Sequence, residues 1–252
     1  MMNIRQIGVA AAGGQTTAPV QIIWAHGWGQ NSEAFAPLAQ SFAGMAINYL
    51  PDFPGFGLTP PPPGAWGTID YANETAAWLK TLPAGPRIWV GHSFGCRVGI
   101  QLAAHYPYLF DKMVLIAAAG LKRRRTMFQR LNHKAKVLTF KTLKHLTPEG
   151  PRRDALRARF GSADYRNAGA LRESFVRIVN EDLSAECERV NQPTLIIVGA
   201  QDDDTPPEMS RRLNSKIKKA HLEILDGFDH HTILSNGRHQ VASLIKGFIE
   251  QP

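Results

Sequence analysis

A chain of 252 residues that is 44% hydrophobic and 20% charged has globular composition and the length of one large or two small domains, which excludes disorder and collagen-like order. Its 22 Gly and 17 Pro recur with no period that would signal a fibre or a solenoid, so one core is expected. The net charge of +8 is uneven: residues 121–185 hold 16 Lys and Arg against 6 Asp and Glu, a net of +10, while the rest holds 13 against 15.

Cys96 and Cys187 stand too far apart in sequence for a disulfide framework or for metal-ligand spacing, so a reducing compartment is expected. Near the start, one early Arg5 and the short apolar stretch at 9–12 fall short of a secretory signal. No run approaches the roughly twenty apolar residues of a membrane span. These features predict a soluble, cytoplasmic protein without a transmembrane segment.

In chain order, short apolar runs predict strands at 3–9, 20–25, 46–50, 87–90, 112–116, 193–198 and 220–225. Between them, helical spacing predicts helices at 69–81, 93–106, 207–215 and 237–250. Tyr71, Thr75, Trp78 and Leu82 recur at three- and four-residue steps and give the first helix a buried stripe. Strands alternating with helices require a largely parallel sheet with crossover helices. The alternation stops between Gly120 and about Ala185, where a basic helical pattern replaces it. Phe128, Leu131, Ala135 and Leu138 share one helical face there, Arg130, Lys134, Lys141 and Lys144 form another stripe, and a second helical stretch covers 154–160. This segment reads as an insertion into the core.

The chemistry begins at Gly91-His92-Ser93-Phe94-Gly95, which follows the apolar run Ile88-Trp89-Val90 and opens a helix. A GxSxG sequence between strand and helix is the context of a nucleophile elbow, where glycines permit the tight bend that exposes the serine. The plain alternative is a turn whose serine only caps the helix. Upstream, the strand ending at Ala25 leads into His26-Gly27-Trp28-Gly29, a turn able to present the Trp28 backbone N–H beside that of Phe94 as an oxyanion hole. His26 itself reads as a structural histidine that pins the loop. Downstream, Asp202, Asp203 and Asp204 follow a buried strand. Asp202 is the candidate acid and Asp204 its alternative, and at least one of the three is a solvated turn residue. After the last strand, Gly227-Phe228-Asp229-His230-His231 supplies His230 as the candidate base, with His231 as the alternative. The chain order Ser, Asp, His is that of an α/β-hydrolase triad.

Together these motifs resemble the α/β-hydrolase fold superfamily from Ile22 to Ile249. His26-Gly27-Trp28-Gly29, Asp52-Phe53-Pro54-Gly55-Phe56-Gly57, the elbow, Gly199-Ala200-Gln201-Asp202 and Gly227-Phe228-Asp229-His230 match its successive signature loops in order. The resemblance implies an α/β fold with a mostly parallel sheet flanked by helices. It makes 1–120 and 186–252 the core, and 121–185 a basic helical lid inserted after the sixth strand. It also implies an ester hydrolase with Ser93 as nucleophile, Asp202 as acid and His230 as base. Trp28 and Phe94 would form the oxyanion hole, with no metal and no organic cofactor. Serine at the nucleophile position sets the chain apart from the aspartate-dependent dehalogenases and epoxide hydrolases.

The first two signature loops look most like those of the pimeloyl-carrier-protein methyl ester esterases, which use a basic lid against an acidic carrier protein. The lid looks more like that of uncharacterised bacterial hydrolases. The implied partner is therefore a small-molecule or carrier-bound acyl ester or thioester, with an acidic acyl carrier protein docking at Arg123, Arg124 and Arg125. A hydrolase fold retained only for binding, and a basic helix lying on a membrane surface, are the rival readings. Nucleic acid is not expected, because the basic segment lacks interleaved aromatic residues and any base-reading motif.

Overall fold

Seven strands form a single sheet in the computed structural model, which describes residues 1–8, 19–124, 138–140, 142–143, 145–148, 150, 152 and 163–250. The strands are β1 (Ile4–Ile7), β2 (Val20–Ala25), β3 (Ala46–Pro51), β4 (Arg87–His92), β5 (Lys112–Ile116), β6 (Thr194–Gly199) and β7 (Ala220–Leu225). Their order is β1-β3-β2-β4-β5-β6-β7. Only β1 runs antiparallel, against β3 with Ile4 opposite Pro51. Every other neighbouring pair is parallel.

The described helices are α1 (Ala36–Gln40), α2 (Thr68–Leu79), α3 (Phe94–His105), α4 (Ala163–Asn167), α5 (Arg172–Asn180), α6 (Ser184–Arg189), α7 (Pro207–Lys216), α8 (Thr232–Ser235) and α9 (Arg238–Glu250). Side chains alternate between the two faces of a strand. Ile23, Ala25, Trp89, Leu115 and Ile196 therefore join α2, α3, α6 and α7 in one core layer. Ile22, Trp24, Val90, Ile116 and Ile197 join α1 and α9 in the other. Two-sided burial explains why the central strands read as unbroken apolar runs in the sequence.

On α2, Tyr71 and Thr75 are buried and Trp78 partly so, as their spacing predicts; Leu82, partly buried, lies beyond the helix end at Leu79. The α2 entry is capped by Asp70, whose carboxylate accepts the Gly67 N–H at 2.8 Å.

The expected insertion point needs one correction. Among the described residues five strands precede residues 121–185, so the segment leaves the sheet after β5 and not after a sixth strand; β6 begins at Thr194. Its two ends meet where the Leu183 N–H donates to Gly120 O at 2.9 Å. The helix α6 straddles the anticipated boundary at 185 and is tied to the core by Arg189, which donates to Ala104 O at 2.8 Å. Further up the segment, Ser174 Oγ accepts the Trp66 N–H at 2.9 Å and Arg177 donates to Ala65 O at 3.0 Å, fastening α5 to the loop before α2. Of the two helical faces expected between 128 and 144, only Leu138 falls within the described residues, and it is exposed. The stretch at 154–160 lies outside them. Among the described residues no helix is long and apolar enough to cross a membrane.

One backbone contact fixes how closely α3 approaches the sheet: a Cβ on Gly95 would fall 2.1 Å from Ala25 O. Since the obstacle is backbone, relief requires moving β2 or the helix. Gly95→Ala is expected to destabilise the protein by about 3 kcal/mol or more, read from urea unfolding midpoints. A loss within about 0.5 kcal/mol, the range of an ordinary surface change, would mean that this contact does not set the helix position.

Candidate active site

The turn between β4 and α3 holds Ser93 at φ 48° and ψ −100°, one of two non-glycine residues with positive φ among those described. Such a conformation costs of order 1–3 kcal/mol and persists only where neighbours over-determine it. Here the Ser93 N–H donates to Ile116 O at 3.0 Å, and the motif glycines admit neighbours that a side chain would exclude. A Cβ on Gly91 would stand 2.6 Å from the Gly95 carbonyl carbon. Trp89 Nε1–H donates to Gly95 O at 3.1 Å, and Cys96 Sγ–H to Gly91 O at 3.1 Å, tying the elbow to its own strand.

Asp202 and His230 meet because the ends of β6 and β7 touch. A Cβ on Gly199 would fall 2.1 Å from Phe228 O, and the Gln201 N–H donates to the same carbonyl at 3.0 Å. His230 Nδ1 then lies 2.8 Å from Asp202 Oδ2, with both side chains buried. Asp202 Oδ1 also accepts the N–H groups of Asp204 and Thr205, at 2.9 and 2.7 Å. The Thr205 hydroxyl donates to Asp202 Oδ2 at 2.8 Å and lies 3.2 Å from His230 Nδ1. Burial alone would raise the Asp202 pKa, but the hydrogen bonds from His230 and Thr205 and the histidine's charge hold it below the ordinary carboxylate value. An ionised Asp202 accepts Nδ1–H and leaves Nε2 as the imidazole's unprotonated nitrogen. Asp203 and Asp204 are exposed, and so is His231.

Ser93, Phe94, Trp28 and His230 line one cavity of about 570 Å³, with Phe175 and Ile178 of α5 on its wall. Ser93 Oγ and His230 share this cavity without a direct hydrogen bond. Among the described residues, neither the Trp28 nor the Phe94 backbone N–H finds an acceptor in the protein. Lys122 and Arg123 also line the cavity and are exposed; Arg124 pairs with Glu208 at 3.8 Å, and Arg125 lies outside the described residues. No cluster of three or more His, Cys, Asp or Glu among the described residues is placed to hold a metal.

Sequence reasoning missed several supports. His92 Nε2–H donates to His230 O at 2.9 Å, so the residue before the serine steadies the loop of the later histidine. Burial and the neighbouring His230 push the His92 pKa down to about 3. Thr205 escaped notice, although a threonine three residues after an aspartate is a local hydrogen-bonding signal. Asp229 Oδ1 accepts the N–H groups of His231 and Thr232 at 2.9 and 2.8 Å, shaping the turn into α8. His26, by contrast, was legible as the histidine that pins its loop: Nδ1–H donates to Gly27 O at 2.7 Å and Nε2 accepts the Phe53 N–H at 3.1 Å. Asp52, in the second signature loop, accepts from the Ser32 N–H at 2.7 Å, Asn3 Nδ2 at 2.8 Å and the Leu58 N–H at 3.0 Å, which makes that loop structural.

Over residues 22–244 the sequence matches the alpha/beta hydrolase family, and the chain belongs to it. A pimeloyl-[acyl-carrier protein] methyl ester esterase of Shewanella sp. (strain MR-7) is 36% identical over 98 residues, 39% of this chain and 34% of that protein. A 2-(acetamidomethylene)succinate hydrolase of Mesorhizobium japonicum is 32% identical over 115 residues, 46% of this chain and 38% of that one. The matched stretches thus span little more than a third of either relative. Among solved structures, an esterase of Exiguobacterium antarcticum superposes with a TM-score of 0.74 at 17% identity, covering 99% of this chain and 96% of that one. A hydrolase of Pseudomonas aeruginosa PA01 gives 0.73 at 19%, covering 99% and 94%. At those identities the likeness is one of fold.

The two bonds of His26 require the neutral ring, and burial, opposed by the Gly27 carbonyl and Asp52, pushes its pKa from 6.5 down to about 4. Between those values the unfolded chain binds a proton that the folded protein refuses, so stability falls as pH drops through this window. His26→Gln can keep both contacts without titrating. Its unfolding free energy is expected to lose up to about 1.4 kcal/mol per pH unit of slope in that window, relative to wild type, in urea titrations. An unchanged slope would show that His26 is not held neutral.

Proposed function

We propose that this chain is a serine hydrolase of carboxylic esters. Ser93 is the nucleophile, His230 the general base, and Asp202 the acid that orients the imidazole. The observation that carries the reading is a serine in a strained strand-to-helix turn lining the same cavity as a buried, hydrogen-bonded His–Asp pair. His230 Nε2 takes the Ser93 hydroxyl proton as Oγ attacks the ester carbonyl, and Asp202 stabilises the imidazolium through Nδ1–H. The backbone N–H groups of Trp28 and Phe94 receive the developing oxyanion. Collapse of the tetrahedral intermediate expels the alcohol, protonated by His230, and a water deprotonated at the same Nε2 hydrolyses the acyl-enzyme. A thioester would follow the same path with a thiol leaving group. Residues 121–185 act as the lid, with Phe175 and Ile178 covering one wall of the cavity.

A carrier-bound ester is the more specific version of this reading. It is supported by the name of the Shewanella relative and by exposed Lys122 and Arg123 at the cavity. An acidic carrier would be steered to such cations, with an advantage that weakens with salt.

A fluorophosphonate probe is expected to label wild type and not Ser93→Ala, with ester turnover in that variant falling by at least about 10³-fold. Labelling that persists in Ser93→Ala would falsify the assignment. Asp202→Asn is expected to cost about 10⁴-fold in turnover through the wrong histidine tautomer, whereas Asp203→Asn should cost little. Equal, small effects at both positions would dismiss the acid.

For the carrier, hydrolysis of a carrier-bound ester is compared with that of the same free ester in a variant carrying Arg123→Ala, Arg124→Ala and Arg125→Ala. The expected result is a loss confined to the carrier-bound substrate and removed by high salt. Equal losses would leave a small-molecule esterase.

A further inference from the structure

The helix that begins at the elbow carries a charge that ester cleavage does not use. Arg97 stands in the first turn of α3, four residues after Ser93. Both line the cavity. Arg97 is nevertheless only 8% exposed, and its Nη1 is buried without a hydrogen-bond partner. Glu181 and Asp182 attract it, yet neither forms an ion pair with it among the described residues. Both carboxylates are engaged elsewhere: Glu181 accepts the N–H and hydroxyl of Thr68, and Asp182 accepts the N–H and hydroxyl of Ser184.

A guanidinium has five donors and stays charged in proteins, so burying one of its nitrogens without a partner opposes folding. Burial correspondingly pulls the Arg97 pKa below its ordinary value, against the two acids. Donors held in that way beside a cavity are preorganised for an anion, and a planar fork fits a carboxylate in particular.

We propose that Arg97 is the anion subsite of this cavity, and that the substrate is an ester whose acyl part carries a second, ionised carboxylate. That carboxylate pairs with the Arg97 guanidinium while the ester carbonyl lies at Ser93. The ester half of this statement rests on the function proposed above; the binding of a dicarboxylate does not. Lys122 and Arg123 are exposed cations and would be the first met by a phosphate on a tether entering from outside. Arg97 is reached only by an anion that is itself within the cavity, which favours a carboxylate on the acyl group.

Titration calorimetry with succinate, glutarate and adipate, against butyrate, valerate and hexanoate, reads binding without turnover. Inorganic phosphate serves as the competing anion. Wild type and Ser93→Ala are expected to bind at least one dicarboxylate more tightly than its matched monocarboxylate and more tightly than phosphate. Arg97→Met, of similar volume, should weaken that binding about 10- to 100-fold, and Arg97→Lys should recover part of it. In turnover, the ratio of kcat/KM for methyl hydrogen glutarate over methyl valerate should fall about 10- to 100-fold in Arg97→Met.

Wild type that binds dicarboxylates no better than monocarboxylates overturns the proposal, as does a ratio unchanged within about threefold in Arg97→Met. Tighter binding of phosphate overturns the carboxylate assignment. The wild-type comparisons decide the matter even if Arg97→Met does not fold. Arg97-dependent dicarboxylate binding without ester turnover would uphold the subsite and defeat the esterase reading, whereas esters cleaved without regard to the second carboxylate would do the reverse.

Discussion

Ser93 occupies a backbone conformation that a residue with a side chain reaches only under constraint, and the surrounding architecture supplies the constraint. The Ile116 carbonyl fixes its amide from the neighbouring strand, while Gly91 and Gly95 let strand, turn and helix crowd together around it. Replacing either glycine would push β2 or the first turn of α3 away, and Ser93, Phe94 and Arg97 all ride on that turn. The strain at one residue thus sets the position of three groups that line the cavity.

Around this turn the fold uses neutral histidines as cross-ties. His26 joins the Gly27 carbonyl to the Phe53 amide, and His92 joins the elbow to the backbone of His230. Both are buried, and burial lowers the pKa of each, so they keep one donor and one acceptor at neutral pH and bring no charge to the cavity. His230 differs through its partner, the buried carboxylate of Asp202. Histidines close to one another in the fold therefore differ in what faces each ring: backbone groups at His26 and His92, a carboxylate at His230.

The sheet was legible because each central strand is buried on both faces and so appears as an unbroken apolar run; three of the seven strands have the bounds read from the sequence, β2, β5 and β7. Short helices were not legible. In α1 five residues carry no repeat, and α5 presents Phe175, Ile178 and Val179 to the cavity in a stretch where basic residues dominate the pattern. The motif loops could be read as loops, and the strand ends placed them along one edge of a parallel sheet. What could not be read was proximity. Thr205, His92 and Arg97 gain their importance from what stands within a few ångströms across the fold, and local sequence does not encode that distance. The strand count before the insertion failed for a simpler reason, since it was carried over from the resemblance and the described residues place five strands before that point.

The elbow, the Asp202 loop and the His230 loop leave from β4, β6 and β7, whereas α4 and α5 belong to the crossover between β5 and β6. That crossover closes on itself through the Leu183 to Gly120 hydrogen bond, so its length is free of the sheet's register. Insertions, deletions and recombination within it can reshape the cavity wall while the paired carboxylate and imidazole keep their 2.8 Å spacing. The wall that α4 and α5 contribute can therefore change without disturbing the ends of β4, β6 and β7, whereas Arg97, in the first turn of α3, is bound to the position of the elbow.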